Sequence, residues 1–401
     1  MLSRVFKAFQ YKDYRLLWMG ACTSSVGTWM QKVAQSWLVF DISKSPSMLG
    51  LDVFLGEIPI LMFSLVGGVV ADRVDRRRVL LASQVVQLTC AFLLAGLVGL
   101  GVVQVWHILS LSFVVGTAQA FGGPAYQALV PSLVKPEDLS NAIALNSIQF
   151  NLARVIGPAL GGIALTQLGA SWCFSLNGVS FIAVIISLLL LHVEFIPKKS
   201  TERVLDSMKQ GIGFIRRQGA MEALIVLAFC MTALGIPLLN FLPVIAKNVF
   251  HGGPTAFSLM LSVSGAGAVA GALVVAWLGN VKNKGRIALT MLAALGVGIV
   301  AFALSTTYWV SCVLLFVSGA ALISVFAMIA TLVQLITANE MRGRVMSVYN
   351  VAFRGGMPIG SLATGWLVEM YSAPPVLAVN GLLLFLLAVY YLAVQRRVAA
   401  L

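Results

Sequence analysis

Charged side chains are scarce in this chain: Asp, Glu, Lys and Arg make up only 10% of its 401 residues, and only 14 residues are acidic. A soluble domain carries about 25% charged residues on average, so this composition excludes an ordinary globular protein. Histidine occurs only three times, at distant positions, which argues against a histidine metal site. The five cysteines lie in five separate apolar stretches without paired spacing, so we expect packing residues rather than disulfides or metal ligands.

Nucleotide-binding and catalytic signatures are also lacking. The chain contains no GxxxxGK[ST] phosphate-binding motif, which disfavours ATP-driven transport. No group of residues suggests that covalent bonds are made or broken, so we expect neither an enzyme nor a cofactor. The basic N-terminal segment reads MLSRVFKAFQYKDYR and has no small-residue cleavage site, so we expect the first apolar stretch to remain as a helix.

Hydrophobic sequence is what the chain has in abundance, with 59% hydrophobic residues and a mean hydropathy of +0.95. A helix that spans a bilayer needs about 20 predominantly apolar residues. The sequence therefore predicts an all-α polytopic membrane protein. Its twelve expected spans lie near residues 14–40, 47–71, 78–100, 105–131, 141–168, 172–193, 221–247, 255–279, 286–306, 309–335, 344–370 and 375–395.

Lysine and arginine are distributed unevenly between the two sets of predicted loops. When the N-terminus is placed in the cytoplasm, nearly all basic loop residues fall on the cytoplasmic side, and the outer loops hold only Lys44 and Lys247. The positive-inside rule then predicts that both termini are cytoplasmic. Because the net charge of +13 reflects this topology, we expect no nucleic-acid partner.

A single long polar segment divides the predicted spans six and six. Within residues 194–220, Val204, Met208, Ile212 and Ile215 recur at helical spacing, which is typical of an amphipathic helix on the cytoplasmic surface. A plain solvated linker is the alternative. We therefore predict an N-terminal six-helix bundle at 1–193, a cytoplasmic linker at 194–220 and a C-terminal six-helix bundle at 221–401.

The two predicted halves contain an internal repeat. A shift of 200 residues places the segment Leu145–Gly162 on the segment Val345–Leu362. The match includes an arginine within a span, Arg154 or Arg354, followed four residues later by proline. Parallel repeats of this kind indicate a duplicated six-helix unit and hence two pseudo-symmetric bundles.

The densest charge in the chain lies in Gly68–Arg78, GVVADRVDRRR, between the second and third predicted spans. Such a segment cannot lie in hydrocarbon and marks a short turn at a membrane face. It resembles the loop between the second and third helices of major facilitator superfamily transporters, G-x-L-a-D-r-x-G-r-r, with Asp75 at the usual glycine. The resemblance implies a cytoplasmic gate that includes Gly68, Asp72, Arg73 and Arg76. For the basic residues, enforcement of topology is the alternative role.

A second motif begins at Arg154 in the fifth predicted span. The sequence RVIGPALGG resembles the G-x-x-x-G-P-x-x-G-G signature of facilitator antiporters, which accompanies export, with Ala153 at the place of the first glycine. Small residues allow close helix approach and proline lets a helix bend. With GTWMQKVAQSWLVFDIS in the first span, these motifs resemble the bacterial branch of the enterobactin exporter and macrolide efflux proteins. The further gating residues that this implies are Gly157, Pro158, Gly161 and Gly162.

Two carboxylates lie within the second predicted span, where charge is costly and suggests function. Glu57 is the first candidate for proton coupling, because a carboxylate in a partly hydrated cavity can load and release a proton between access states. Asp52 is the second candidate. The alternatives are a structural Asp52–Lys32 pair and a Glu57 side chain that accepts from Arg154.

Polar and aromatic side chains within the spans are candidates for substrate binding. Amides in such positions bond either to a substrate or between helices. Arg154 either attracts an anionic group of the substrate or forms a salt bridge in the helix packing. The predicted substrate-binding residues are Trp29, Gln31, Gln35, Gln119, Tyr126, Asn146, Gln149, Arg154 and Arg354.

These features together predict a monomeric secondary active transporter of the bacterial cell inner membrane. We expect proton-coupled efflux of a small amphipathic molecule, such as a drug or siderophore, by alternating access. Its expected partners are that substrate, protons and the lipid bilayer. The alternatives are solute uptake by symport or facilitated diffusion, a lipid or lysolipid flippase, and a non-transporting partner of a secretion system.

Overall fold

Long α-helices dominate the computed structural model, which describes residues 6–192, 204–279 and 281–401. Helices suit apolar sequence of this kind because each helix satisfies its own backbone hydrogen bonds. Hydrocarbon offers no hydrogen-bonding partners to the backbone. Within the described residues there is no β-strand. The prediction of an all-α membrane protein is confirmed.

Six long helices follow a short 3₁₀ helix at Lys7–Gln10. A turn or a short loop joins each of these helices to the next. In chain order they are α1 (Lys12–Ser43), α2 (Pro46–Arg73), α3 (Arg76–Gly99), α4 (Val105–Leu129), α5 (Leu139–Gln167) and α6 (Ala170–Leu190).

The rest of the chain begins with the helix that was predicted in the polar segment, α7 (Val204–Arg217). Residues 194–203 of that segment and the side chains of Val204 and Met208 lie outside the described residues. The later helices are α8 (Gly219–Gly235), α9 (Pro237–Asn240), α10 (Leu242–Asn248), α11 (Pro254–Leu278), α12 (Lys284–Leu304), α13 (Tyr308–Ile336), α14 (Arg342–Tyr371) and α15 (Ala373–Ala393).

The seventh predicted span is not one continuous helix. It consists of α8, α9 and α10, which together cover Gly219–Asn248 and break before Pro237 and around Pro243. Proline has no backbone N–H and its ring clashes with the preceding turn, so each proline begins a new helical segment.

Ten helical segments among the described residues are long and apolar enough to cross a membrane. The remaining two long helices, α1 and α14, have 32 and 30 residues and carry more polar side chains. Their lengths exceed the roughly 20 residues that a span requires. The structure is therefore compatible with the twelve predicted spans.

The described residues form two compact units. The first contains residues 6–43 and 55–192, and the second contains residues 44–54 together with the described residues from 204 onwards. Helix α2 therefore contributes its first nine residues to the second unit and the rest to the first. The predicted boundary at residues 193–194 lies outside the described residues, and the three-part domain division stays a prediction.

Three helix pairings recur in both units. In the first, α1 packs on α5, and α3 packs on α4 and α6. In the second, α8 packs on α14, and α12 packs on α13 and α15. These are the first and fifth, third and fourth, and third and sixth spans of each half. A duplicated six-helix unit, as the sequence repeat indicates, explains this shared pattern.

Candidate functional site

A cavity of about 360 Å³ lies among α1, α3, α4, α5 and α6 of the first unit. Trp29, Phe150, Lys32 and several hydroxyl groups form part of its wall. Polar side chains within membrane helices are costly unless they face water, each other or a ligand. The cavity is therefore the candidate binding site. Five glutamines line it: Gln84, Gln87, Gln119, Gln127 and Gln149.

Each helix reaches the cavity with one face. Residues three or four positions apart lie on one side of a helix, and the lining residues follow this spacing. On α4 the lining positions run from Gln119 through Gly122 and Gly123 to Tyr126 and Gln127. The α1 stripe consists of Ala21, Ser24, Ser25, Thr28, Trp29 and Lys32.

Hydrogen bonds between α3 and α4 hold the amides on one side of the cavity. Gln119 Nε2 donates to Gln87 Oε1 at 3.2 Å, and Gln87 Nε2 donates to Ser83 Oγ at the same distance. Ser83 Oγ in turn donates to the carbonyl of Ala118 at 2.8 Å. This chain of bonds orients the amides, because rotation of either amide would break one of the bonds.

A second group of hydrogen bonds connects α1 and α5. Gln149, which is buried, donates from Nε2 to Ser25 Oγ at 2.6 Å and to the carbonyl of Ala21 at 2.9 Å. Asn146 Oδ1 accepts from the hydroxyls of Tyr14 at 3.1 Å and of Tyr126 at 3.4 Å. The α5 side of the cavity is therefore preorganised by contacts within the first unit.

Two cations approach the indole ring of Trp29. The Nζ atom of Lys32 lies 4.9 Å from the ring centroid, and the guanidinium carbon of Arg154 lies 5.9 Å from it. The ring also packs edge-to-face on Phe150, with 6.2 Å between centroids. Both cations lie within the range in which an aromatic ring attracts positive charge.

Five of the predicted substrate-binding residues line the cavity, and four do not. Gln31 Oε1 accepts from Asn177 on α6 at 2.6 Å, and Gln35 donates to Ser112 on α4 at 2.9 Å, so both amides bond between helices. Arg154 is buried close to Trp29, and Arg354 is exposed in the second unit. The five that line it are Trp29, Gln119, Tyr126, Asn146 and Gln149.

The two predicted coupling carboxylates lie in different units. Glu57 is half-buried in the part of α2 that belongs to the first unit, and it does not line the cavity. No ion pair between Glu57 and Arg154 occurs in the structure. Asp52 is buried in the part of α2 that belongs to the second unit. Its predicted pairing with Lys32 would join the units and stays a prediction.

In the charged turn between α2 and α3, Asp75 has a structural role. It is the N-cap of α3, where its Oδ1 accepts from the backbone N–H of Arg77 at 3.0 Å. Its other oxygen lies 3.5 Å from Nε of Arg78. A carboxylate at a helix N-terminus satisfies an otherwise unpaired N–H and is favoured by the helix dipole. The departure from the family glycine is thus explained by capping.

Two arginines of the same turn bind carbonyl groups at helix C-termini. Arg76 donates to the carbonyls of Ala71 at 3.2 Å and of Ala128 at 2.9 Å, near the ends of α2 and α4. Arg77 donates to the carbonyl of Leu189 at 2.8 Å, near the end of α6. Carbonyls in the last turn of a helix generally lack an intrahelical donor, so the cations stabilise three helix ends. Arg76, predicted for the gate, is thus part of the packing of the first unit.

Among the described residues, the remaining predicted gate residues show no such bonds. Asp72 is half-buried and Arg73 is exposed. An ideal Cβ added to Gly68 would meet no atom within 4 Å, so this glycine is not required here by close packing. The gating function of these three residues stays a prediction.

Close packing does explain two glycines of the second motif. A Cβ on Gly157 would fall against Cβ of Trp29 and 2.9 Å from the carbonyl oxygen of Val26, and one on Gly161 would lie 3.0 Å from Cα of Met30. Helix α5 therefore crosses α1 at these glycines, as small residues permit. Pro158 and Gly162 are buried beside them, and the predicted gating role of all four residues stays a prediction.

The N-terminal segment is attached to the start of α5 by one carboxylate. Asp138, only 2% exposed, lies 2.7 Å from Nζ of Lys7 and accepts from Gln10 at 2.9 Å and from the Tyr11 hydroxyl at 2.8 Å. The hydrogen bond with Asp138 raises the pKa of the Lys7 ammonium above its usual value. A buried carboxylate with three donors is well compensated.

Sequence reasoning missed Lys32, Gln84 and Gln87 as cavity residues. A signal existed in each case: Lys32 continues the polar stripe of α1, and Ser83, Gln84 and Gln87 form a polar stripe in the otherwise apolar α3. Polar residues at helical spacing within a span indicate a hydrated face, so this spacing could have predicted that the three residues line the cavity.

Comparisons with known proteins agree with this architecture. The chain is 22% identical over 384 residues to the staphyloferrin A transporter of Staphylococcus aureus, covering 93% of this chain and 94% of that protein. It is 25% identical over 374 residues to the enterobactin exporter EntS of Citrobacter koseri, covering 92% and 88%. The solved structure of a POT family transporter superposes with a TM-score of 0.78 at 11% identity, covering 96% of each chain. The last likeness shows the fold alone.

The family described as "Transmembrane secretion effector" matches residues 3–400, which is nearly the whole chain. The predicted resemblance and the prediction of a non-enzymatic transporter are both confirmed. The chain is therefore a multi-pass membrane protein that belongs to this transporter family of the major facilitator superfamily.

Proposed function

We propose that the protein is a secondary active exporter that moves a small amphipathic molecule by alternating access. The observation that carries the proposal is the polar and aromatic cavity within a bundle of membrane-spanning helices. Polar side chains at this depth are costly, and a transported solute that binds them explains why they are there.

The chemistry of the cavity supports an amphipathic substrate. Its volume of about 360 Å³ falls within the range of small-molecule sites, which is roughly 300–1,000 Å³. Trp29 and Phe150 offer apolar and aromatic surface, while the glutamines offer donors and acceptors. A drug-like or siderophore-like molecule, with rings and several hydrogen-bonding groups, fits this combination. Export is favoured because related chains include exporters such as EntS.

Proton coupling is part of the proposal, with Glu57 as the first candidate and Asp52 as the second. Glu57 lies beside a close contact of α2 with α4, where a Cβ on Gly116 would fall against the carbonyl of Gly56. A carboxylate at such a crossing can link its protonation to a change in helix packing. The proton would move against the substrate, so that the inward gradient drives export.

The cellular setting of the proposal follows from the basic loops and the bacterial relatives. We place the protein as a monomer in the bacterial cell inner membrane, with both termini in the cytoplasm. Its partners would be the substrate, protons and the bilayer.

Transport in both cells and vesicles tests this function. Strains that lack or overproduce the protein are compared for secreted metabolites and for sensitivity to a panel of toxic compounds. Compounds that respond are then loaded into proteoliposomes with an imposed pH gradient. We expect gradient-dependent movement in the export direction. Accumulation in the opposite direction would assign uptake, movement of labelled lipids alone would assign a flippase, and no movement of any solute would refute the proposal.

Replacing Glu57 by glutamine tests the coupling. Because Glu57→Gln removes the exchangeable proton but keeps the shape, we expect folded protein that still binds substrate and loses at least about 90% of its pH-gradient-driven transport. Glu137→Gln, an exposed residue of the same unit, is the matched control. Unchanged dependence on the pH gradient in Glu57→Gln would remove Glu57 from the mechanism.

A further inference from the structure

The charge that lines the cavity is positive. Among the described residues that line it, Lys32 is the only charged side chain, and none is acidic. The Nζ atom lies on the indole face of Trp29, and the lysine side chain is exposed to the cavity. A ligand that enters here therefore meets a positive charge and no negative one.

A second cation, Arg154, lies close to the same ring and adds to the positive potential beside the cavity. Arg154 is only 8% exposed, and its guanidinium carbon lies 5.9 Å from the centroid of the same indole ring. Within the first unit, residues 6–43 and 55–192, neither Lys32 nor Arg154 forms an ion pair with an acidic side chain. Burying a cation at membrane depth without a counter-ion is costly, and a bound anion would repay that cost.

One amide of the lining has an oxygen atom without a hydrogen-bond partner among the described residues. The Oε1 atom of Gln84 is buried and accepts no hydrogen bond from the described part of the chain. Because Gln84 itself lines the cavity, a rotation of its side chain would bring this unpaired oxygen to a hydroxyl or N–H of a ligand. The lining thus presents cationic and amide partners close to an aromatic surface.

We propose that this cavity selects amphipathic molecules that carry an anionic group, such as a carboxylate, which binds at Lys32 beside Trp29. The proposal rests on the proposed export function and specifies its substrate class. The aromatic part of the substrate packs on Trp29 and Phe150, its anionic group supplies a counter-ion that the first unit does not provide, and a hydroxyl or N–H binds Gln84. Cationic amphiphiles of the same size are disfavoured.

Three probes of nearly equal size separate the effect of ligand charge from the effect of ligand size. Dansylglycine carries a carboxylate, dansylglycinamide is neutral, and dansylethylenediamine carries an ammonium group. Binding to the full-length protein in phosphatidylcholine nanodiscs is measured by energy transfer from tryptophan to the dansyl group. We expect dansylglycine to bind about 10-fold to 100-fold more tightly than the amide, as charge-assisted hydrogen bonds require, and the amine to bind most weakly.

Variants of Lys32 identify the group responsible. Lys32→Gln should reduce dansylglycine affinity about 10-fold or more and leave the affinity for the amide unchanged. Lys32→Arg should keep the preference, because the charge remains. Lys12→Gln, an exposed lysine at the start of the same helix, is the matched control and should bind as the parent does. Size-exclusion chromatography confirms that each variant is folded.

Several results would overturn the inference. Equal or tighter binding of the amine, an equal loss for all three probes in Lys32→Gln, or no binding of dansylglycine would each do so. Loss of dansylglycine binding when phosphatidylglycerol is added would assign the site to a lipid headgroup instead. The metabolite and proteoliposome assays decide the export function separately: gradient-driven export of a cationic compound would uphold transport and refute only the anionic class.

Discussion

Replacing Gly157 by alanine tests how α1 packs on α5. The new methyl group would fall against Cβ of Trp29, 2.9 Å from the carbonyl oxygen of Val26 and 3.4 Å from the backbone nitrogen of Met30. These atoms belong to the backbone of α1 or are attached to it, so no side-chain rotation can move them away. The helices would have to separate, and Trp29 would move with α1.

The expected change in the free energy of unfolding follows from two opposing effects. Overpacking of a close helix contact costs about 1–3 kcal/mol. Alanine in place of glycine within a helix stabilises by up to ~1 kcal/mol. Gly96→Ala on α3 provides the matched control, because a Cβ there meets no atom within 4 Å and only the second effect operates. The difference between the two variants therefore isolates the packing cost of about 1–3 kcal/mol.

The assay measures apparent melting temperatures in one detergent. The signal is the loss of monodisperse protein after heating. We expect Gly157→Ala to melt several degrees below Gly96→Ala, which should melt at or above the parent. Since Trp29 borders the cavity, Gly157→Ala should also bind dansylglycine more weakly. Equal melting temperatures for the two variants would show that α1 and α5 do not touch at Gly157, and would refute the packing described above.

Two further predictions concern side chains at the ends of helices. Asp75→Ala removes the N-cap of α3 and should destabilise the protein by about 1 kcal/mol, seen as a lower melting temperature, whereas Asp75→Asn should retain most of the stability because it still caps. Asp138→Asn weakens the attachment of Lys7 and Tyr11, so backbone amides near residue 8 should exchange with deuterium faster. Asp138 raises the pKa of the Lys7 ammonium above 10.5, so the ion pair of the parent protein is lost only as the pH rises through that raised pKa. Because pH 7 and pH 9 both lie below it, the protection of these amides from exchange should be equal at the two pH values. Faster exchange of the parent at pH 9, after correction for intrinsic rates, or unchanged exchange in Asp138→Asn would contradict this account.

Helix number and fold class could be predicted because they depend on local sequence. A run of about 20 apolar residues has few alternatives to a membrane-spanning helix, whatever its neighbours are. The break of the seventh span before Pro237 was missed, although proline is itself a local signal. The same local reasoning identified Gly157 and Gly161 as positions of close packing, and the structure provides their partners on α1.

The candidate site was only partly predictable because polarity alone does not tell which side of a helix a residue faces. Trp29, Gln31 and Lys32 are near neighbours on α1, yet each position turns about 100° from the last. Trp29 and Lys32 consequently face the cavity, while Gln31 faces Asn177 on α6. Only the positions of α3 to α6 decide which stripe of α1 becomes a binding surface and which becomes a helix contact.

The sequence by itself determined that this protein crosses the membrane as α-helices and belongs to a family of transporters. Those conclusions depend on hydrophobic length, loop charge and short motifs, which are properties of contiguous residues. The tertiary structure decided that Lys32, Trp29 and Gln84 border one cavity, although they come from two helices more than 50 residues apart. Convergence of this kind depends on helix packing, because a side chain gains its function only from the groups that surround it in space.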